Sequence, residues 1–193
     1  MNIVDLIKTR RSVRNYQQKP VPKALFQQVL EAGIWAPSSR NQQPWRFIAM
    51  SHPDKRNELA REAKIQLAEF LETQEAASKY GAPAVERFKK RATGEGDTLL
   101  YNAPVILFVI QTKPVDSDLD YGLCLENMML CAHGIGLGTC PIGLAIPLNN
   151  SKTAREILKL KTPEKIVLAL SLGFPDEAPS PTERRLDVIQ WVE

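Results

Sequence analysis

The chain is poor in the residues that most often build metal, disulfide or nucleophile sites. It has three cysteines and two histidines in 193 residues. The cysteines stand at 124, 131 and 140, an odd number with no Cys-x-x-Cys pair, which argues against a disulfide framework or a zinc ribbon. Cys124 and Cys131 are seven apart in a helical pattern, so their Cα atoms lie about 10 Å apart at ~1.5 Å per residue. A disulfide needs less than about 7 Å. Three reduced thiols buried as core filler are expected, which suits a reducing compartment. His52 and His133 are too few for a histidine-rich metal site. The longest apolar run, Ala103 to Ile110, is far short of the roughly 18 residues of a membrane helix. Polar and charged residues interrupt the first eleven positions, which therefore read as neither signal peptide nor anchor. Charge of one sign is missing too. Lys plus Arg is 25 against 22 for Asp plus Glu, a net +3, too mild to argue for nucleic-acid binding. A cytoplasmic protein without membrane or nucleic-acid partner is the expectation.

Several enzyme motifs are also missing. There is no P-loop, no His-Glu-x-x-His and no Gly-x-Ser-x-Gly. The glycines at 134, 136 and 138 follow a helix, and Thr139 and Pro141 stand where a third glycine would be needed, so no dinucleotide-binding fingerprint is present. Cys131 and His133 are two apart on a helix and point to different faces.

What is present is an ordinary globular composition, 44% apolar and 24% charged. The pattern predicts a single domain over residues 1–193. A short helix covers Ile3 to Thr9, and a second begins at Pro22 and ends before Pro37. Trp45 to Met50 reads as a buried strand. Ser51 or Asp54 can cap a long helix over Lys55 to Lys79, and a short helix lies around Ala84 to Arg91. Val105 to Gln111 is a strand buried on both faces. Ser117-Asp118-Leu119-Asp120 has the form of a capping box, opening a helix to His133 that is apolar nearly all round and so belongs in the core. Ser151 caps a helix to Leu160, and Ile166 to Leu172 is another buried strand. The tail from Arg184 holds Leu186, Val188, Ile189, Trp191 and Val192, too apolar for a free end.

Three clusters carry chemistry. Arg10-Arg11-Ser12-Val13-Arg14 offers three guanidiniums and a hydroxyl, enough to surround a dianionic phosphate; the ordinary alternative is a solvated basic face. Pro37-Ser38-Ser39-Arg40-Asn41-Gln42-Gln43-Pro44-Trp45 is a proline-braced loop of donors and acceptors suited to a planar heterocycle, or simply a capped turn. Gly136-Leu137-Gly138-Thr139-Cys140-Pro141-Ile142-Gly143 lets backbone approach a flat ligand, or is a helix cap followed by a loop.

Together, in this order and spacing, the clusters resemble the FMN-dependent nitroreductase family over nearly the whole chain. Leu172-Gly173-Phe174-Pro175 and the late arginines extend the match. The resemblance implies an α+β, nitroreductase-like fold: a central mixed or antiparallel sheet of about four or five strands, surrounded by helices, with an extended C-terminal arm. It implies a homodimer with FMN at the interface. Arg10, Arg11, Ser12 and Arg14 would hold the phosphate and ribityl chain. Pro37, Ser38, Ser39 and Asn41 of the partner subunit would face the isoalloxazine, with Gln43 supporting that loop or the ribityl hydroxyls. Pro141, Ile142 and Gly143 would pass beside the ring, a backbone N–H near flavin N5. Arg184 and Arg185 match the C-terminal phosphate position. Two departures stand out. Gly143 replaces an acidic residue found in many members, and Glu183 replaces the first of two flanking basic residues.

The implied activity is hydride transfer from NADH or NADPH through FMN to a small electron-poor acceptor, a nitro compound or quinone. The flavin carries that chemistry, so no side chain is named as catalytic. Two alternatives remain at this level. One is another flavin reaction on the same fold, such as reductive dehalogenation or flavin destruction. The other is a polyanion-binding module using Arg10 to Arg14, Lys89-Lys90-Arg91 and Arg184-Arg185.

Overall fold

The computed structural model describes residues 2–115, 118–177, 179–185 and 187–192. Its centre is β2 (Val105–Gln111), whose seven residues are all buried. Alternate side chains of a strand point to opposite faces, and both faces here are apolar. Val105, Leu107 and Val109 join a cluster with Val29 of α2 (Lys23–Ile34) and Cys124 and Met128 of α6 (Leu119–Gly134). Ile106, Phe108 and Ile110 join a second cluster with Leu59, Ala63 and Leu67 of α3 (Pro53–Leu71) and Val85 of α5 (Ala82–Thr93). The result is a sheet between two helical layers.

Among the described residues the sheet has four strands in the order β1-β2-β4-β3, every pair antiparallel. β1 (Trp45–Met50) runs in register from Trp45 opposite Gln111 to Met50 opposite Ile106. It is an edge strand and, apart from Trp45, only half-buried or, at Ala49, exposed, less enclosed than its apolar sequence predicts. β4 (Lys165–Gly173) pairs with β2 through a register shift at Val109/Ile110. The other edge is β3 (Gly138–Ile142), which occupies much of the segment expected to be a glycine-rich loop. A 3-10 helix over Gly143–Asn150 takes up the rest.

The predicted long helix is two. α3 stops at Leu71, and α4 (Gln74–Tyr80) restarts because Thr73 acts as its cap, its hydroxyl accepting from Ala76 N and donating to Phe70 O. A threonine so placed competes with the helix backbone for hydrogen bonds. α3 itself begins with Pro53 at its first position, and neither Ser51 nor Asp54 caps it. α7 (Lys152–Ile157) is capped by Ser151 as expected but ends before Leu160, where Lys159 turns the chain at φ 49°. α1 (Ile3–Thr9) forms as predicted, capped by Asn2. In the capping box, Ser117 lies outside the described residues; Asp118 is the cap of α6 and makes no side-chain cap bond.

Helix α6 is not enclosed all round. Tyr121, Cys124, Leu125, Met128, Met129 and Ala132 are buried, while Leu119 and Leu123 face outward. Cys124 and Cys140 are buried as expected, but Cys131 is half-exposed beside Gln28 of α2. All three are unpaired.

A further strand-like piece lies along β3. Val13 N donates to Thr139 O at 2.9 Å, and Ser12 pairs with Thr139 in a parallel bridge. The Tyr16 hydroxyl fastens it, donating to Val13 O at 2.7 Å and bonding Ser171 at 2.8 Å. The approach is close. A Cβ on Gly138 would lie 2.6 Å from Val13 Cγ2, so a larger residue there would push the segment off the sheet.

At the far edge Arg46 of β1 grips Glu164, with Nε and Nη2 donating at 2.8 and 2.7 Å. These bonds, aided by Lys161 N and opposed by burial, hold the Glu164 carboxyl down at about 2. A depressed carboxyl contributes stability above its unfolded value, and that contribution is lost as pH falls through the folded one. Unfolding free energy should therefore decline between about pH 4.5 and pH 2, with Glu164 supplying about 1–2 kcal/mol after allowance for the open side of Arg46. Chemical denaturation across that range should show a flatter acid limb in Glu164→Gln; an unchanged limb removes Glu164 from acid sensitivity.

Candidate cofactor site

The basic segment and the glycine strand, far apart in sequence, meet at the free edge of β3. Arg10 and Arg11 open onto a cavity of 240 Å³, lined also by Gly136, Leu137, Gly138, Thr139 and His133. The Nε atoms of both arginines are buried and make no hydrogen bond. Arg10 Nε sits 3.6 Å from Glu126 of α6, an ion pair rather than a hydrogen bond. Arg11 Nη1 donates to Lys8 O and Arg10 O at the C-terminal end of α1. Leaving buried guanidinium nitrogens unpaired is costly, and an anion in the cavity would offset that cost through its charge on the two guanidiniums.

His133 reports the local field. Its Nε2 bonds Thr9 Oγ1 at 2.9 Å. Burial and the adjacent Arg10 and Arg11 guanidiniums push its imidazole below the ordinary value. It therefore stays neutral at pH 7 and adds no positive charge of its own. Sequence reasoning missed His133 as a neighbour of the cluster, because 124 residues separate it from Thr9 and no motif links the two.

Ser12 and Arg14 open onto an adjoining cavity of 190 Å³ with Asn15, Glu177 and Pro179. Val13 and Pro179 line both cavities. The four expected phosphate residues thus stand as two neighbouring pairs along one strand-like segment. Beside them lies Cys140, buried in β3. Burial raises its thiol, outweighing the opposing pull of Arg14, Tyr101, Ser12 and Arg91. The thiol stays protonated, which removes it as a nucleophile.

Pro141, Ile142 and Gly143 follow along the same edge. Ile142 turns its side chain into the core, so only its backbone is presented. Gly143 is exposed, and a Cβ there would meet nothing within 4 Å. It also begins the 3-10 helix, whose first N–H groups have no partner within the helix. A flat ligand therefore has open backbone to lie against.

The proline-braced loop is elsewhere in the chain. Ser39 N donates to both carboxylate oxygens of Asp120 at 3.2 Å, which pins the loop to the first turn of α6. Thr9 meets the other end of that helix at His133, while Arg10 reaches Glu126 near its middle. The thirteen residues from Asp120 to His133 span about 20 Å at ~1.5 Å each. Pro37, Asn41 and Gln43 instead line a separate cavity of 460 Å³ with Ile34 and Trp35. The loop is also strained: Arg40, Asn41 and Gln43 take φ of 53°, 54° and 45°. Ser38 Oγ accepts from Gln43 N at 2.9 Å, and Gln43 Nε2 donates to Asn41 Oδ1 at 3.1 Å, which hold that shape. Asp120 is the second residue that the sequence did not disclose in its role. Its place in the apparent capping box pointed to helix initiation, whereas its carboxylate clamps the loop.

Arg184 and Arg185 lie on an exposed tail. Arg184 bonds Thr182 and Glu183 O, and Arg185 pairs with Asp187 at 3.4 Å. These bonds keep both guanidiniums among their tail neighbours rather than at the Arg10–Arg14 cavities. Val188, Ile189, Trp191 and Val192 are exposed too, Trp191 by 85%. Among the described residues no group of three or more His, Cys, Asp or Glu is placed to hold a metal, and no helix is long and apolar enough to cross a membrane.

The donor set suits a phosphorylated flat cofactor: guanidiniums with unpaired nitrogens on a cavity, next to open backbone. Comparison with known proteins agrees with that chemistry. The chain is similar to a chloronitrobenzene nitroreductase of Comamonas testosteroni, 27% identical over 99% of this chain and 94% of the relative. It is similar to an NADH dehydrogenase of Thermus thermophilus, 27% identical over 91% and 87%. A crystal structure of an FMN-bound nitroreductase from Bacteroides fragilis superposes over the whole of both chains, with a TM-score of 0.83 and 26% identity. The Nitroreductase family model matches residues 7–174, which takes in the basic segment, the proline-braced loop and the glycine strand, and on that match the chain belongs to the Nitroreductase family.

Proposed function

We propose that the chain is an FMN-dependent oxidoreductase that takes hydride from NADH or NADPH and delivers it to a small electron-poor acceptor, a nitroaromatic compound or a quinone. The observation that carries this is the meeting of Arg10, Arg11, Ser12 and Arg14 with the β3 edge that leads to the exposed backbone of Gly143. FMN, when bound, supplies two-electron chemistry that no side chain here provides. Arg10 and Arg11 neutralise its phosphate from one side of Val13, and Ser12 and Arg14 from the other. Pro141 to Gly143 lie along the ring and give it a backbone N–H donor. Neutral His133 leaves the arginines as the positive charges at the cavity.

The working form is a homodimer, and the length of α6 supports it. With about 20 Å between its ends, one subunit's proline-braced loop and basic segment serve two different cofactors, each completed by the partner. Exposed apolar surface supports the same assembly. Ile3, Val4 and Ile7 on α1, Ile34 and Trp35 after α2, and Leu119 and Leu123 on α6 all face outward, as do the tail residues. Apolar surface of this extent marks an interface. The relatives named above support the acceptor class, and the balanced charge of the chain suits a cytoplasmic setting.

The purified protein should be yellow, bleach with NADH or NADPH, and recover its colour on adding a nitroaromatic compound or quinone. A protein that takes up no FMN on titration overturns the proposal. Arg14→Ala should weaken FMN binding about ten- to a hundredfold, the loss of one hydrogen bond to a charged group, and Arg14→Lys should be intermediate because a point charge cannot fork. Unchanged affinity in Arg14→Ala removes that residue from the site.

Truncation after Glu183 tests the assembly, since it removes Arg184, Arg185 and the apolar arm together. A weaker dimer and weaker flavin retention are expected by sedimentation and absorbance. A truncated protein that stays dimeric, yellow and equally heat-stable shows that the tail supports neither interface nor cofactor.

A further inference from the structure

Tyr101 is held in an unusual way. It and Asn102 are consecutive non-glycine residues with φ of 62° and 48°, a conformation that persists only when the surroundings enforce it. Much of the neighbourhood is devoted to that. The Asp97 carboxylate accepts from the N–H groups of Leu99, Leu100 and Asn102 at 3.2, 2.6 and 2.9 Å. Lys64 of α3 donates to Gly94 O, Arg56 to Ala103 O, and Gln18 to Asn102 O. Two cations of α3, Arg56 and Lys64, thus tie down the 94–103 loop.

The loop delivers the Tyr101 ring between two guanidiniums. Arg91 of α5 stands 5.2 Å from the ring centroid and donates from Nη2 to the phenol oxygen at 2.8 Å. Arg91 is itself locked, donating to Thr98 O from both Nε and Nη2. Arg14 stands 5.9 Å from the same centroid, within the range of a cation–π contact. Arg14 is exposed and has no ion pair among the described residues, so this contact is its main restraint. Arginine has a long side chain with much rotamer freedom, and ordering it in advance lowers the cost of binding.

We infer that Tyr101 is a positioning residue that holds Arg14 ready for the phosphate, with Arg91 as its clamp. The inference rests on the proposed role of Arg14 and adds two residues from elements outside the three sequence motifs. Neither touches the cofactor in this account; both act through the Arg14 guanidinium.

The test reads FMN dissociation constants of the full-length protein from flavin fluorescence on dilution, with thermal unfolding alongside. Tyr101→Leu should weaken binding about three- to thirtyfold, the range of one cation–π contact. Tyr101→Phe keeps the ring but loses the Arg91 bond to the phenol oxygen, so its loss should be no larger than that of Arg91→Gln and smaller than that of Tyr101→Leu. In an Arg14→Ala background, Tyr101→Leu should add nothing, because a residue that acts only through Arg14 has nothing left to position. Arg91→Gln leaves Tyr101 in place and tests the clamp if Tyr101→Leu fails to fold. It should weaken FMN binding about three- to tenfold, again only while Arg14 is present. Losses that add to that of Arg14→Ala, or a Tyr101→Phe loss equal to that of Tyr101→Leu, overturn the inference. So does full affinity in Tyr101→Leu when Arg14→Ala is weak, which leaves the phosphate role of Arg14 standing. Full affinity in Arg14→Ala overturns both.

Discussion

The contact between Val13 and Thr139 is the constraint on which the rest of the site depends. A single backbone hydrogen bond lays the basic segment against the edge of β3, and its polar side chains divide between the two cavities that share Val13. Val13 turns inward over Gly138, which must lack a Cβ for the fit. The arginines and Ser12 are left along the rim. Nothing in the segment alone would hold three guanidiniums so close together, since their mutual repulsion favours separation. The sheet supplies the fixed frame, and Tyr16, bonded to both Val13 O and Ser171, locks the segment to that frame.

Helix α6 sets the second constraint. One end carries the proline-braced loop through Asp120, the other carries Thr9 through His133, and Arg10 joins Glu126 between them. A helix is a stiff spacer, so the two motifs cannot be drawn together by a local adjustment. That separation is what the proposed homodimer answers, by setting one copy's loop beside the other copy's basic segment. The outward-facing Leu119 and Leu123 on this same helix then have a purpose. Their apolar character, which in sequence looked like an excess of core, is the part of the helix that its own subunit leaves uncovered.

What the sequence disclosed follows from which forces are local. Strands β2 and β4 were legible because burial on both faces imposes unbroken apolar runs. The Ser151 cap and the α1 and α2 boundaries were legible because capping and proline geometry act within four residues. The break at Thr73 was not, because a threonine inside an apolar period can sit on a helix or end one, and here its bonds to Phe70 and Ala76 decide. Strand β3 was hidden for a different reason. Gly138, Thr139 and Pro141 look like a loop, and only pairing with β4 on one side and Val13 on the other makes them a strand. The three motifs were visible as residue types, but the division of the basic segment into two pairs and the roles of Asp120, His133 and Tyr101 depend on contacts spanning tens of residues.

One device recurs at the two places where the backbone is strained. Six described non-glycine residues have positive φ, and five of them fall in two loops, at 40, 41 and 43 and at 101 and 102. Each such residue costs about 1–3 kcal/mol, so each loop needs a compensating restraint. In both cases an aspartate supplies it by accepting backbone N–H bonds, Asp120 for the first and Asp97 for the second. Charge-assisted bonds of this kind are stronger than neutral ones, and they act on the backbone without occupying the ligand's space. The basic segment has acids of its own, Glu126 beside Arg10 and Glu177 in the cavity of Ser12 and Arg14, whereas Asp97 and Asp120 bind main chain and fix the shape of the two loops. Strain and acidic restraint therefore belong together here: each loop holds its unusual shape because an aspartate accepts from main chain that would otherwise relax.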